Sequence, residues 1–235
     1  MKNRQMTAGG IAVAALLLAG PSGAQDQPQH EHGDHEMQHS TAQHRFEDAD
    51  RWAESFDAEE RDSWQKPEEV VALMAIEPGM IVVDLGAGTG YFLGPLSAAV
   101  GADGVAVGLD IEESMVEHMR ERSEREGWHN VEARVVTPDD PQLASASVDR
   151  VLVVNVWHHI EGREDYARKL HEGLRAGGEV WVVDFTKESS HGPPVDHRLD
   201  PEEVMAELAA GGLETRLVEG ETLPEQYVVV GRRAP

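Results

Sequence analysis

The sequence predicts an α/β fold: an open, doubly wound sheet of seven strands that is mostly parallel, with the last strand antiparallel. Three observations predict it. Apolar runs alternate with helical segments after residue 79, a glycine-rich turn follows the first run, and the first five runs contain few polar residues. Such runs are typical of strands buried on both faces of a parallel sheet, and their alternation with helices implies right-handed crossovers.

The individual elements follow from these patterns. The predicted strands are residues 81–85, 104–110, 131–136, 148–154, 178–185, 213–219 and 226–231, and the predicted helices are 90–100, 111–126, 163–174 and 201–210. Only the turn GETLPEQ separates the last two strands, which therefore form an antiparallel hairpin at one edge.

The first 24 residues have the layout of a secretory signal peptide. Lys2 and Arg4 precede an apolar run, and small residues at 22–24 offer a cleavage site after Ala24. The apolar run is shorter than the roughly 20 residues that span a bilayer, so no stable membrane anchor is expected. The leader predicts a periplasmic or secreted protein, whereas a translation start at Met37 would leave it in the cytoplasm.

Two segments follow the leader. Residues 25–45 are polar and histidine-rich and are expected to be disordered, either as a solvated tether or as a weak site for zinc, copper or nickel. Residues 46–235 have the composition of one globular domain, which begins with short helices that could form a lid over the site.

Charge restricts the class of substrate. The chain has a formal net charge of −24 and no cysteine. An acidic surface repels phosphate backbones, so nucleic acid is excluded as a substrate and a small molecule is favoured. The absence of cysteine removes any disulfide framework or thiol-linked lipid anchor. The sequence gives no indication of the oligomeric state.

The stretch VVDLGAGTGYF carries the main functional signal. Gly86, Gly88 and Gly90 form a G-x-G-x-G turn, whereas the dinucleotide fingerprint needs a glycine where Tyr91 stands. Asp84, directly before the turn, would repel a pyrophosphate and instead suits a cofactor with a positive amino group. These features argue against a dinucleotide oxidoreductase and favour S-adenosylmethionine.

A second acid supports this interpretation. Asp110 ends the next predicted strand, where a carboxylate can accept both hydroxyls of a ribose. Ile111 and Met115 follow it and are predicted to flank the adenine.

The motifs VVDLGAGTGYF, GLDIEESM and VDRVLVVNVWHHI resemble successive motifs of class I S-adenosylmethionine-dependent methyltransferases, and LRAGGEVWVVDF resembles the turn and strand that follow them. RDSWQKPEEV and HRLDPEEVMAELAAGGL resemble a bacterial subgroup that methylates small molecules. The resemblance implies a Rossmann-like sheet of seven strands and S-adenosylmethionine as the cofactor.

The resemblance also implies roles for individual residues. Asp84 and the backbone of Gly86, Ala87 and Gly88 would hold the methionine part, and Asn155 and Trp157 would lie at the edge of the cofactor. Gly90 and Tyr91 are also expected to contact the cofactor. An acid after the third strand usually bonds the adenine amino group. Thr137 stands there in this chain, and Asp139 or Asp140 would substitute.

The resemblance places His158 or His159 facing the methyl acceptor, where a neutral histidine can act as a general base. A structural role for either histidine, such as bonding a backbone carbonyl, is the alternative. The leading hypothesis is therefore methyl transfer to a small molecule. The alternative is an exported binding protein with a methyltransferase fold, without methyl transfer and linked to metal through its histidine-rich segment.

Overall fold

The structure is a computed structural model that describes residues 57–220 and 223–235. The predicted leader, the histidine-rich segment and residues 46–56 of the predicted lid lie outside this part. The helices are α1 (Glu59–Gln65), α2 (Pro67–Leu73), α3 (Leu93–Val100), α4 (Glu113–Glu126), α5 (Arg163–Gly173) and α6 (Pro201–Ala210). The strands are β1 (Ile81–Leu85), β2 (Val105–Asp110), β3 (Val131–Val135), β4 (Val148–Val154), β5 (Leu174–Phe185), β6 (Glu214–Leu217) and β7 (Gln226–Arg232).

The seven strands form one sheet in the order β3-β2-β1-β4-β5-β7-β6. The first five strands pair in parallel, and β7 lies between β5 and β6, antiparallel to both. This arrangement confirms the predicted fold class and the predicted hairpin.

A separate apolar core covers each face of the sheet. On one face, α2 and α3 pack on residues such as Val82 and Leu152. On the other face, α5 and α6 pack on residues such as Val83 and Val151. Alternate residues of each strand enter opposite cores, which explains why the central strands are almost wholly apolar.

The topology places a crevice between β1 and β4. The chain leaves β1 through α3 toward β2 and leaves β4 through α5 toward β5, so the two connections diverge at this point of the sheet. Open α/β sheets bind their ligands at such switch points, outside the carboxyl ends of the strands.

Two boundaries differ from the prediction by more than two residues. Helix α3 begins at Leu93 rather than at residue 90, because Gly90 has a φ of +79° and still belongs to the turn. Strand β5 begins at Leu174 rather than at residue 178, because the chain pairs with β4 as soon as α5 ends. Across residues 57–220 and 223–235, no helix has the length and apolar character needed to cross a membrane.

Candidate active site

The glycine turn lies against the carboxyl end of β2. The N–H groups of Gly86 and Ala87 both donate to the carbonyl of Leu109, at 2.8 and 3.0 Å. Gly86 has a φ of +70°, and a Cβ on it would lie 2.5 Å from a methyl group of Val156. Only glycine satisfies both the backbone conformation and the close approach of the loop after β4.

Gly90 performs the packing role that the dinucleotide fingerprint gives to a glycine one residue later. A Cβ on Gly90 would lie 2.9 Å from Leu93 and 3.1 Å from Met119, so this glycine brings the turn close to α3 and α4. Tyr91 is thereby released from the packing requirement, and its ring meets that of Phe92 edge-on at 5.2 Å.

Asp84 is the penultimate residue of β1, before this turn, and is 3% exposed. Burial raises the pKa of Asp84 to about 7, the guanidinium of Arg61 lowers it, and the carboxylate of Asp110 raises it further. Loss of water therefore outweighs the favourable arginine, because a buried carboxylate exchanges strong hydration for one diffuse positive charge. A ligand with a positive group would favour the ionised form.

Asp110 is held in place by the backbone. One carboxylate oxygen accepts the N–H of Gly88 at 2.8 Å, and the other accepts the N–H of Glu112 at 3.0 Å. Burial raises the pKa of Asp110, and these two hydrogen bonds oppose the rise. A carboxylate offers about four lone-pair positions, so both oxygens can still accept a hydroxyl.

The residues predicted around adenine have different environments. Ile111 is 48% exposed beside Asp110, whereas Met115 is 1% exposed and presents no surface to a ligand. The prediction for Met115 is therefore wrong, because the first turn of α4 directs its side chain inward. Asp139 is exposed, and a hydrogen bond from the Thr137 side chain lowers its pKa.

Trp157 does not lie at the edge of the crevice, contrary to the prediction. Its side chain is fully buried with the core residues of the α5 and α6 face, and its indole N–H donates to Glu207 at 2.8 Å. A large apolar residue in a short 3-10 turn after β4 gains more free energy from this core than from an exposed edge.

Asn155 belongs to a closed ring of three amides. Gln65 donates to Gln226 at 2.7 Å, Gln226 donates to Asn155 at 2.6 Å, and Asn155 donates to Gln65 at 3.1 Å. The ring joins α1, the end of β4 and the start of β7. Asn155 has a φ of +57°, a conformation that asparagine tolerates better than most residues.

Helix α1 belongs to the segment predicted to form a lid and lies at the carboxyl edge of the sheet. At one end, Asp57 binds Arg122 at 2.8 Å and accepts the hydroxyl of Thr89 at 3.1 Å. At the other end, Trp64 stacks on His191 with ring centroids 4.8 Å apart. The helix therefore connects the loops that follow β1 and β5.

A buried His–Asp pair lies between β4 and β5. The Nδ1 atom of His158 lies 2.8 and 3.0 Å from the two carboxylate oxygens of Asp184. His158 is 8% exposed and Asp184 is 2% exposed. The carboxylate accepts a proton carried on Nδ1, and this tautomer leaves the Nε2 lone pair available to act as a base.

A cavity of about 440 Å³ adjoins this pair. His158 and His159 line it together with the start of α5 and Glu207. The rings of the two histidines are 4.1 Å apart. Within the described part of the chain, no group of three or more histidine or acidic residues has the arrangement of a metal site.

Arg198 organises the loop before α6. Its guanidinium donates to the carbonyls of Pro193, Thr186 and Ser189 at 2.8, 3.0 and 2.8 Å. The guanidinium of Arg198 is therefore used to hold the loop, a role that the sequence alone does not predict.

Known proteins share this domain. Residues 82–178 match a family described as methyltransferase domain. A ubiquinone/menaquinone biosynthesis C-methyltransferase from Hydrogenovibrio crunogenus is 29% identical over 118 residues, which are 50% of this chain and 46% of that protein. An arsenite methyltransferase from Halobacterium salinarum is 29% identical over 131 residues, which are 56% of this chain and 33% of that protein. The chain thus spans half or less of the length of these two relatives.

A solved structure extends the similarity beyond the matched family region. An S-adenosylmethionine-dependent methyltransferase from Aquifex aeolicus aligns with a TM-score of 0.73 at 25% identity, and the alignment covers 79% of this chain and 98% of that chain.

The amide ring predicts a measurable contribution to folding. The Gln226→Leu substitution keeps the side-chain volume but leaves the Gln65 donor and the Asn155 acceptor without their partner. We expect the free energy of unfolding to fall by about 1–3 kcal/mol, the cost of unsatisfied buried polar groups. Urea denaturation measures it. Gln142→Leu, on an exposed turn, is the control, and an equal loss in both variants would contradict a role for the ring.

Proposed function

We propose that the chain binds S-adenosylmethionine between β1 and β4 and transfers the methyl group to a small molecule. The match of residues 82–178 to a methyltransferase domain and the alignment with an S-adenosylmethionine-dependent methyltransferase support this proposal. The observation that carries the proposal is the pair of buried carboxylates around the glycine turn. Asp84 lies before the turn, and Asp110 accepts a backbone N–H from within it.

The residues present fit this cofactor. A pyrophosphate in the turn would meet two buried carboxylates, whereas an α-amino group would place a positive charge beside Asp84, and ribose hydroxyls could donate to Asp110. Half-exposed Ile111 offers an apolar surface next to the ribose position. When bound, S-adenosylmethionine supplies an electrophilic methyl group on a sulfonium.

The His158–Asp184 pair would provide the base. Asp184 holds the ring by Nδ1, so Nε2 would take the proton of a hydroxyl, ammonium or thiol on the acceptor. The cavity of about 440 Å³ beside His158 has a volume suited to a small acceptor. The acidic surface, with a formal net charge of −24, disfavours nucleic acid in this role.

Calorimetric titration with S-adenosylmethionine and S-adenosylhomocysteine tests the cofactor assignment. We expect both to bind and Asp110→Ala to weaken both by about 10- to 100-fold, the effect of losing charge-assisted hydrogen bonds. Asp103→Ala, an exposed acid in the turn before β2, is the matched control. Absence of heat from either ligand would refute the proposal.

Cofactor affinity should depend on pH through Asp84. With a pKa of about 7 in the ligand-free protein, Asp84 must lose a proton to receive the cofactor's ammonium group. We expect S-adenosylhomocysteine to bind more tightly as the pH rises from 5.5 to 7.5, by close to tenfold per unit at the acid end. Asp84→Asn should bind weakly and remove this slope.

The same titration affects stability with the opposite sign. The folded state retains a proton on Asp84 that the unfolded chain releases near pH 4, so this residue's contribution to stability decreases as the pH rises from about 4 to about 7.

For cofactor binding, an unchanged pH slope in Asp84→Asn would contradict the assignment of Asp84.

The base is tested by methyl transfer from labelled S-adenosylmethionine to a panel of phenols, amines and thiols. We expect His158→Ala to lower the rate by about 10²–10⁴-fold while leaving S-adenosylhomocysteine affinity unchanged. Asp184→Asn should act through the same histidine and add little to the double variant. His129→Ala, in the exposed turn before β3, is the control. Full activity of His158→Ala would eliminate the base, and binding without transfer to any acceptor would favour the binding-protein alternative.

A further inference from the structure

We infer that Arg61, in the middle of α1, binds the α-carboxylate of S-adenosylmethionine and so makes α1 part of the cofactor site. The inference rests on the proposed function. It assigns a cofactor contact to a residue outside the glycine turn and outside the region of residues 82–178 that matches the methyltransferase family.

The position of Arg61 follows from the contacts of α1. Its guanidinium carbon lies 4.0 Å from the ring centroid of Tyr91, the residue directly after the glycine turn. Four residues before Arg61, Asp57 bonds to Thr89 and Arg122. Four residues after Arg61, Gln65 belongs to the amide ring. Arg61 is therefore held over the turn from both ends of a short helix.

The electrostatic surroundings of Arg61 are acidic. Its charge interacts with Asp57, Asp62 and Asp84, while burial lowers the pKa of its guanidinium from the usual value. Asp57 also binds Arg122 and Thr89, and Asp62 also accepts the hydroxyl of Tyr91. Asp84 is the acid that lies at the bottom of the crevice.

A bound α-amino acid group would reorganise this pair of charges. Its ammonium would serve as a counter-charge of Asp84, and its carboxylate, on the same carbon atom, could then bind the guanidinium of Arg61. A zwitterion between a buried acid and a buried arginine places each charge against an opposite one, and the planar guanidinium can grip a carboxylate with two parallel bonds. A ligand with the ammonium but without the carboxylate would neutralise Asp84 and would give Arg61 no anion in exchange.

The test compares three ligands by calorimetry. These are S-adenosylhomocysteine, its analogue with hydrogen in place of the α-carboxylate, and methylthioadenosine, which lacks both charged groups. We expect the wild-type protein to prefer S-adenosylhomocysteine over the decarboxylated analogue by about 10- to 100-fold. In Arg61→Gln the ratio of the two dissociation constants should approach 1, and in Arg61→Lys it should be intermediate. Affinity for methylthioadenosine should stay within about twofold, since neither charge is involved.

The controls separate the possible failures. Arg125→Gln, an exposed arginine at the end of α4, should retain the wild-type ratio, and thermal unfolding establishes that each variant is folded. A wild-type ratio in folded Arg61→Gln would overturn the inference while leaving the proposed function intact. Absence of binding by all three ligands to the wild-type protein would instead overturn the proposed function itself.

Discussion

The buried carboxylate of Asp84 is the constraint on which the rest of the site depends. Removing a carboxylate from water is costly unless nearby groups compensate for its charge. Here the cost of burial exceeds the compensation by Arg61 and raises the pKa of Asp84 to about 7. The groups around Asp84 reduce this cost in part. Arg61 supplies a positive charge that lowers the pKa of Asp84, and the carboxylate of Asp110 accepts the N–H groups of Gly88 and Glu112. The arrangement is unfavourable for an anion and is completed by a ligand that brings a cation.

Two kinds of interaction hold the carboxyl edge of the sheet together. Charged contacts join α1 to the glycine turn, where Asp57 pairs with Arg122 and Arg61 lies over Tyr91. Neutral contacts join the same helix to the loop after β4 and to β7 through the amide ring. A closed ring of amides satisfies every member without a charge, so it fixes geometry at little cost in desolvation. Helix α1 thus connects the region that would hold the cofactor with the region that holds the histidines.

The position of His158 depends on its neighbour in the chain. Trp157 is fixed in the core by its burial and by its bond to Glu207, which leaves the next residue at the bottom of the crevice beside β5. Asp184 ends β5 at the same level and receives the ring. The sequence indicated that one histidine of the pair faces the acceptor. The tertiary packing selects His158 for the carboxylate, because β4 and β5 are adjacent in the sheet.

The sequence by itself determined the strands and their alternation with helices, the antiparallel hairpin, the glycine turn and the two acids at the carboxyl ends of β1 and β2. These features are local, since apolar runs, glycines with positive φ and acids at strand ends are each encoded within a few residues. Only the tertiary structure decided that Trp157 and Met115 are buried, that Arg198 binds backbone carbonyls, and that Arg61 and Gln65 reach the site. Gln65 and Gln226 are 161 positions apart. No local pattern can encode that contact, because it exists only once α1 has folded back over the carboxyl edge of the completed sheet.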